Sequence, residues 1–253
     1  MKRHFIDISA QLESWFETES GQYLLNAERG LLSSQLESIF GYHMAQIGVS
    51  SKYPLYESCP VSHKFSIGGS KGAALLTKFS DLPFETDSLD LVILHHSLEY
   101  YEHPHQLLRE IQRCIAPQGH LIIVGFNPLS PHGLYAQIAG LLPRSQWKKK
   151  SITLRRLIDW LSLLGFDIRS TNYAYTLPPV HRKSIQERMT KADQYITSHN
   201  WPTGGIFVLN AVKQVSTITP IRPRWNKVAN PLRGLATSRS VISRIPNKGE
   251  TQA

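Results

Sequence analysis

Leu89-Asp90-Leu91-Val92-Ile93-Leu94, the helical pattern of residues 104–115, and His120-Leu121-Ile122-Ile123-Val124 together decide the fold. The first and last are short, nearly continuous apolar runs, the pattern of parallel strands covered on both faces. Between them Leu107, Leu108, Ile111 and Ile115 recur at helical spacing, Pro104 stands where a first helical residue would be, and Pro117 and Gly119 break the pattern. Strand, helix and strand in that order make a βαβ unit with a right-handed crossover.

The same alternation extends outward. Downstream, Leu154, Leu157, Ile158, Leu161 and Leu164 share one helical face, closed by Gly165 as a C-terminal cap, and residues 167–175 and 206–212 follow as two strands. Upstream, residues 43–49 form a first strand after a helix running through Leu24, Leu31, Leu32, Leu36 and Ile39. The expected fold is an α/β, doubly wound, mostly parallel sheet whose ligand crevice lies outside the carboxyl ends of its strands.

Length and composition agree. At about 150 residues per domain, 253 residues allow one large α/β domain with decorations or two small ones. With 41% hydrophobic and 19% charged residues, collagen, coiled coil and wholesale disorder are excluded. No apolar run approaches the roughly 18 residues of a membrane span. Asp7, Gln11 and Glu13 interrupt any signal-peptide core, and the two cysteines, Cys59 and Cys114, are too few for a disulfide framework, so a cytoplasmic location is expected. Of the net charge of +9, residues 216–253 carry +6, from seven bases against Glu250. Pro220, Pro223, Pro231 and Pro246 interrupt that segment, which reads as a disordered tail behind a domain of residues 1–215 with a helical lead-in over 1–40. It is either a solubilising appendage or a polycation making weak contact with nucleic acid or an anionic membrane.

The local sequence says more. Leu82-Pro83-Phe84, Asp87-Ser88-Leu89-Asp90-Leu91-Val92, His96-Ser97-Leu98-Glu99, Leu107-Leu108-Arg109-Glu110-Ile111 and Pro117-Gln118-Gly119-His120 follow one another in order. They closely resemble consecutive motifs of class I S-adenosylmethionine-dependent methyltransferases, which read LPF, SFDVV, HVLEH, LREI and KPGG. The likeness runs over residues 79–124, and Gly125-Phe126-Asn127-Pro128 after the fifth strand is similar to a bacterial, type 11-like subgroup. It implies a seven-stranded sheet ending in an antiparallel hairpin, and S-adenosylmethionine as cofactor.

The cofactor end departs from that pattern. Where the family has an acid and a G-x-G-x-G loop, this chain has Gly48-Val49-Ser50-Ser51-Lys52. No acid stands in Val61-Ser62-His63-Lys64-Phe65, where the ribose would be held, and the adenine-side acid falls on Lys78, with Asp81 nearby. The resemblance places cofactor contacts at Ile47, Gly48, Ser50, Asp81, Leu82, His96, Ser97 and Leu98. Either substitutes such as Ser50, Asp81 and backbone amides hold the cofactor, or the fold is a non-catalytic module binding nucleic acid or membrane through its tail.

Methyl transfer from a sulfonium is an in-line displacement, needing a base only when the acceptor must lose a proton. His95, His96, Glu99 and Tyr100 are expected at the crevice mouth, with His96 as base and Glu99 as its orienting carboxylate; the alternative is that His96 packs the strand end and Glu99 caps the loop. Cys59 and His63 offer two zinc ligands where a structural site needs four, so no metal site is expected. The apolar residues Leu134, Tyr135, Ile138, Leu141, Leu142 and Trp147, ahead of Lys148-Lys149-Lys150, resemble a cap over a small or lipophilic acceptor, or else are a packed surface helix.

Overall fold

The computed structural model describes residues 2–68, 81–131, 133–134, 138, 150–174 and 200–214, with side chains from Ser9 onward. The chain divides into two units, Met1–Ser216 and Thr217–Ala253. The expected tail, residues 216–253, lies outside the described residues, as does most of the expected cap.

Eleven elements follow in order: α1 (Lys2–Phe16), α2 (Glu19–Leu36), β1 (His43–Gly48), β2 (His63–Gly68), β3 (Leu89–His95), α3 (Ser97–Tyr100), α4 (Pro104–Cys114), β4 (Ile115–Phe126), α5 (Leu154–Leu163), β5 (Phe166–Ala174) and β6 (Ile206–Lys213). The strands form one sheet in the order β2-β1-β3-β4-β6-β5. β1, β2, β3 and β4 run parallel, and β6 pairs antiparallel with both β4 and β5. The described residues thus supply six strands where the family resemblance implied seven; residues 69–80 and 175–199 fall outside them.

The near-continuous apolar character of the central strands follows from burial on both faces. In β3, Leu91 and Ile93 enter a core with Leu24, Leu32 and Leu36 of α2 and Phe16 of α1. Val92 and Leu94 enter the opposite core with Leu107, Leu108 and Ile111 of α4 and Leu157 and Leu161 of α5. Successive strand residues point to opposite faces, so each face needs its own helical cover. Gly165 ends α5 at φ +80, a conformation that glycine adopts without steric cost.

Two boundaries differ from the sequence expectation. β2 ends at Gly68, beyond the stretch 61–65 taken as its neighbourhood, and its carboxyl end also lacks an acid. β4 begins at Ile115: Leu89 pairs with Ile115 and Leu91 with His120, so the turn around Pro117 and Gly119, with Gln118 at φ 64, bulges out of a strand that it does not interrupt. Among the described residues no helix is long and apolar enough to cross a membrane.

Candidate active site at the carboxyl ends of β1 and β3

The strand order reverses between β1 and β3, so the crevice of this sheet opens at their carboxyl ends. There Gly48 is in register with His95, and the Val49 N–H donates to the His95 carbonyl at 3.3 Å. A Cβ on Gly48 would stand 3.1 Å from the Ser50 carbonyl and 3.3 Å from that of His95, so the two backbones meet closely only because this residue has no side chain. His96 then takes a left-handed conformation, φ 50 and ψ 22, which turns the chain from β3 into α3. That conformation costs a non-glycine residue of order 1 kcal/mol and persists only where its surroundings hold it.

A chain of buried charged groups does the holding. Glu28 of α2 lies in the apolar stripe Leu24, Glu28, Leu32 and Leu36, with no exposed surface. One of its oxygens is 3.1 Å from His95 Nε2 and the other 2.7 Å from His96 Nε2. His96 Nδ1 stands 3.3 Å from Glu99 Oε2, and the Phe126 N–H donates to Glu99 Oε1. Phe126 stacks on the His96 ring with centroids 4.0 Å apart, and Phe16 stacks on His95 at 5.7 Å.

Burial and charge pull against each other here. Desolvation pushes Glu28 up, but attraction and hydrogen bonds from His95 and His96 outweigh it and bring its pKa to about 2. Desolvation pushes His96 down, and the Glu28 and Glu99 carboxylates raise it to about 9. For His95 desolvation wins over Glu28, and its pKa falls below the ordinary 6.5. Desolvation, reinforced by Glu99, raises the phenol of Tyr100 well above its usual range. Among the described residues, His95 Nδ1, Ser97 Oγ and Tyr100 Oη are buried without a hydrogen-bond partner.

The structure thus brings together Ile47, Gly48, Ser50, His96, Ser97, Leu98 and Glu99, all buried. His95, His96, Glu99 and Tyr100, expected at the crevice mouth, are instead buried, His95 and His96 against the Phe16 ring of α1. Ser9 donates to the Val49 carbonyl, and the Ser50 hydroxyl donates to Glu13 Oε1 at 2.6 Å while accepting from the Lys52 N–H at 3.0 Å. Asp81 and Leu82 stand elsewhere. Asp81 is exposed and contributes to the field on Arg113. The Leu82 N–H donates to Glu110 at 3.3 Å, and Arg113 donates to the carbonyls of Leu82 at 3.2 Å and Phe84 at 2.9 Å. Glu110 and Arg113 occupy the last turns of α4, which return the chain to the amino ends of the strands, so this clamp lies away from Gly48. Sequence reasoning passed over Glu28, although an acid at the i+4 position of a leucine stripe is the signal that marks it.

Comparison with known proteins gives concordant results. Residues 63–123 match the family model described as a methyltransferase domain. The chain is 32% identical over 168 residues to the uncharacterized protein YafS of Escherichia coli K12, covering 66% of this chain and 70% of that one. A methyltransferase of Thermotoga maritima superposes with a TM-score of 0.64 at 16% identity, over 85% of this chain and all of the other. Geranyl diphosphate C-methyltransferase of Streptomyces coelicolor superposes with a TM-score of 0.50 at 12% identity, over 74% of this chain and 79% of that one. At such identities the superpositions speak for the fold.

Proposed function

Since the chain belongs to the class I S-adenosylmethionine-dependent methyltransferases, we propose that it transfers a methyl group from S-adenosylmethionine to a small or lipophilic acceptor. The observation that carries this reading is the site at the β1/β3 switch point, where Gly48 meets the His95 backbone and a buried carboxylate, imidazole, carboxylate chain lies beside it. Bound there, the cofactor supplies an electrophilic methyl carbon on a sulfonium.

The donor set fits that group: beside Gly48, Ser97 Oγ and His95 Nδ1 are buried polar atoms without partners. Gly48, Ser97 and the backbone of residues 95–98 would hold it, with Ile47 and Leu98 as apolar neighbours. The Ser50 hydroxyl is taken by Glu13, and Leu82 is held with the loop before β3 by Glu110 and Arg113. With a carboxylate at each ring nitrogen, His96 acts as a positioning residue that fixes Glu28 and Glu99 relative to the end of β3. Leu129, Leu134 and Ile138, 81%, 59% and 62% exposed just beyond β4, support an apolar acceptor.

Turnover is the test. The full chain, given methyl-labelled S-adenosylmethionine and a panel of apolar alcohols, amines and carboxylic acids, is expected to transfer label into at least one organic-soluble product. Release of S-adenosylhomocysteine no faster than in buffer, across the panel, counts against the reading.

A further inference from the structure

The geometry points to a divalent-metal site formed by Glu28, His95 and His96 at the floor of this crevice. One ligand atom from each of the three residues lies within 4.8 Å of the other two, and all three side chains are fully buried. The backbone is arranged to make this possible. Neighbouring residues of a strand send their side chains to opposite faces, yet His95 and His96 both direct Nε2 to the same carboxylate, at 3.1 and 2.7 Å, because His96 leaves β3 at φ 50. The strained residue is therefore the one that closes the ligand set.

The chemistry of the ligands agrees. Two imidazoles and a carboxylate suit first-row divalent cations such as Zn2+, Co2+ and Fe2+. Behind His96, Glu99 faces Nδ1 at 3.3 Å and is itself held by the Phe126 N–H, the outer carboxylate that orients a metal-bound imidazole. The other imidazole pair, His43 and His63, stacks at 5.2 Å but is exposed and lacks a third ligand among the described residues.

The site stands on its own geometry and does not require the transfer reading, so both are measured on the same samples. Full-length protein purified without chelator is assayed for metal by plasma mass spectrometry, then stripped and titrated with Zn2+ and Co2+, with melting temperature and the Co2+ visible absorption recorded. One equivalent per chain, a tetrahedral or five-coordinate Co2+ spectrum and a raised melting temperature are expected. Affinity should fall by more than about 100-fold in Glu28→Gln and in His95→Gln and by about 10- to 100-fold in Glu99→Gln, with His63→Gln unchanged. Two ligand variants are used so that a fold lost in one leaves the other to decide. Substoichiometric binding to the wild type, or binding unaltered in a folded Glu28→Gln or His95→Gln, overturns the site. Metal binding without affinity for S-adenosylmethionine sinks the transfer reading alone, and cofactor binding without metal sinks the metal site alone.

Discussion

Glu28 Oε1 lies 2.7 Å from His96 Nε2, joining the second helix of the chain to the turn after β3 across sixty-eight positions of sequence. This contact ties the N-terminal helices to the carboxyl end of the sheet, so lead-in and sheet are one folding unit. Glu28→Ala leaves two buried imidazoles without their carboxylate and is expected to cost about 3–5 kcal/mol of unfolding free energy, whereas Glu28→Gln, which keeps a hydrogen-bonding oxygen, costs less. Urea unfolding of the two variants checks the difference. Equal losses would show that the retained amide oxygen restores nothing and that the carboxylate charge carries the whole contribution.

Gly48 sets the approach of β1 to β3. Gly48→Ala places a methyl 3.1 and 3.3 Å from two carbonyl oxygens, and the chain must yield by a few tenths of an ångström, at roughly 1 kcal/mol. Gly48→Val adds bulk on both sides and is expected to abolish cofactor binding with a larger loss of stability. Calorimetric titration and thermal melting of both variants follow these effects, and unchanged affinity in Gly48→Val would remove this residue from the site.

Arg113 and Glu110 clamp the loop that carries the Leu82 motif, 2.9 Å apart and partly exposed. The hydrogen bond from Arg113 holds the Glu110 carboxyl below its ordinary 4.5. A depressed folded-state value means that the contribution is complete above the unfolded-state pKa and is lost as pH falls through the lower folded-state value. Glu110→Gln should therefore flatten the fall in melting temperature on acidification below about pH 4.5 and, for a partly exposed pair, change stability at neutral pH by less than about 1 kcal/mol. A pH series of melts on both proteins decides it; parallel curves would contradict the assignment.

Removal of Thr217–Ala253, which forms a unit apart from Met1–Ser216, is expected to leave a cooperatively folding protein. The segment carries seven bases against one acid, so its loss should also flatten the salt dependence of weak binding to RNA or anionic vesicles. Filter binding and vesicle sedimentation over a salt series measure this, and unaltered binding would assign the polyanion contact to residues before 217.

The β3, α4 and β4 unit was legible because two-sided burial forces Leu89–Leu94 and Leu121–Val124 to be apolar throughout, and α4 shows its buried stripe at Leu107, Leu108 and Ile111. The final hairpin and the cap at Gly165 were legible for similar local reasons. The pairing of His96 with Glu99 could be read because i and i+3 face each other on a turn. Glu28 carried only the local signal of an acid within the stripe Leu24, Leu32 and Leu36, and its partners His95 and His96 lie too far along the chain for sequence spacing to pair them with it. Asp81 was drawn toward the crevice by its position before Leu82, yet in space that motif belongs to Glu110 and Arg113 of α4. Ser50 is expected from the sequence as a substitute cofactor contact, and the partner that occupies its hydroxyl, Glu13 of α1, lies thirty-seven positions away, beyond the reach of local pattern.

The measurement that bears most directly on the central claim is calorimetric titration of the full chain with S-adenosylmethionine and S-adenosylhomocysteine. The predicted result is saturable binding of one cofactor per chain, lost in Gly48→Val. Absence of the ribose acid weakens it about tenfold or more, equivalent to a charge-assisted hydrogen bond of roughly 1.5–3 kcal/mol. No heat above dilution with either compound at about millimolar concentration, a free energy of only about 4 kcal/mol, would contradict the methyltransferase assignment of this site.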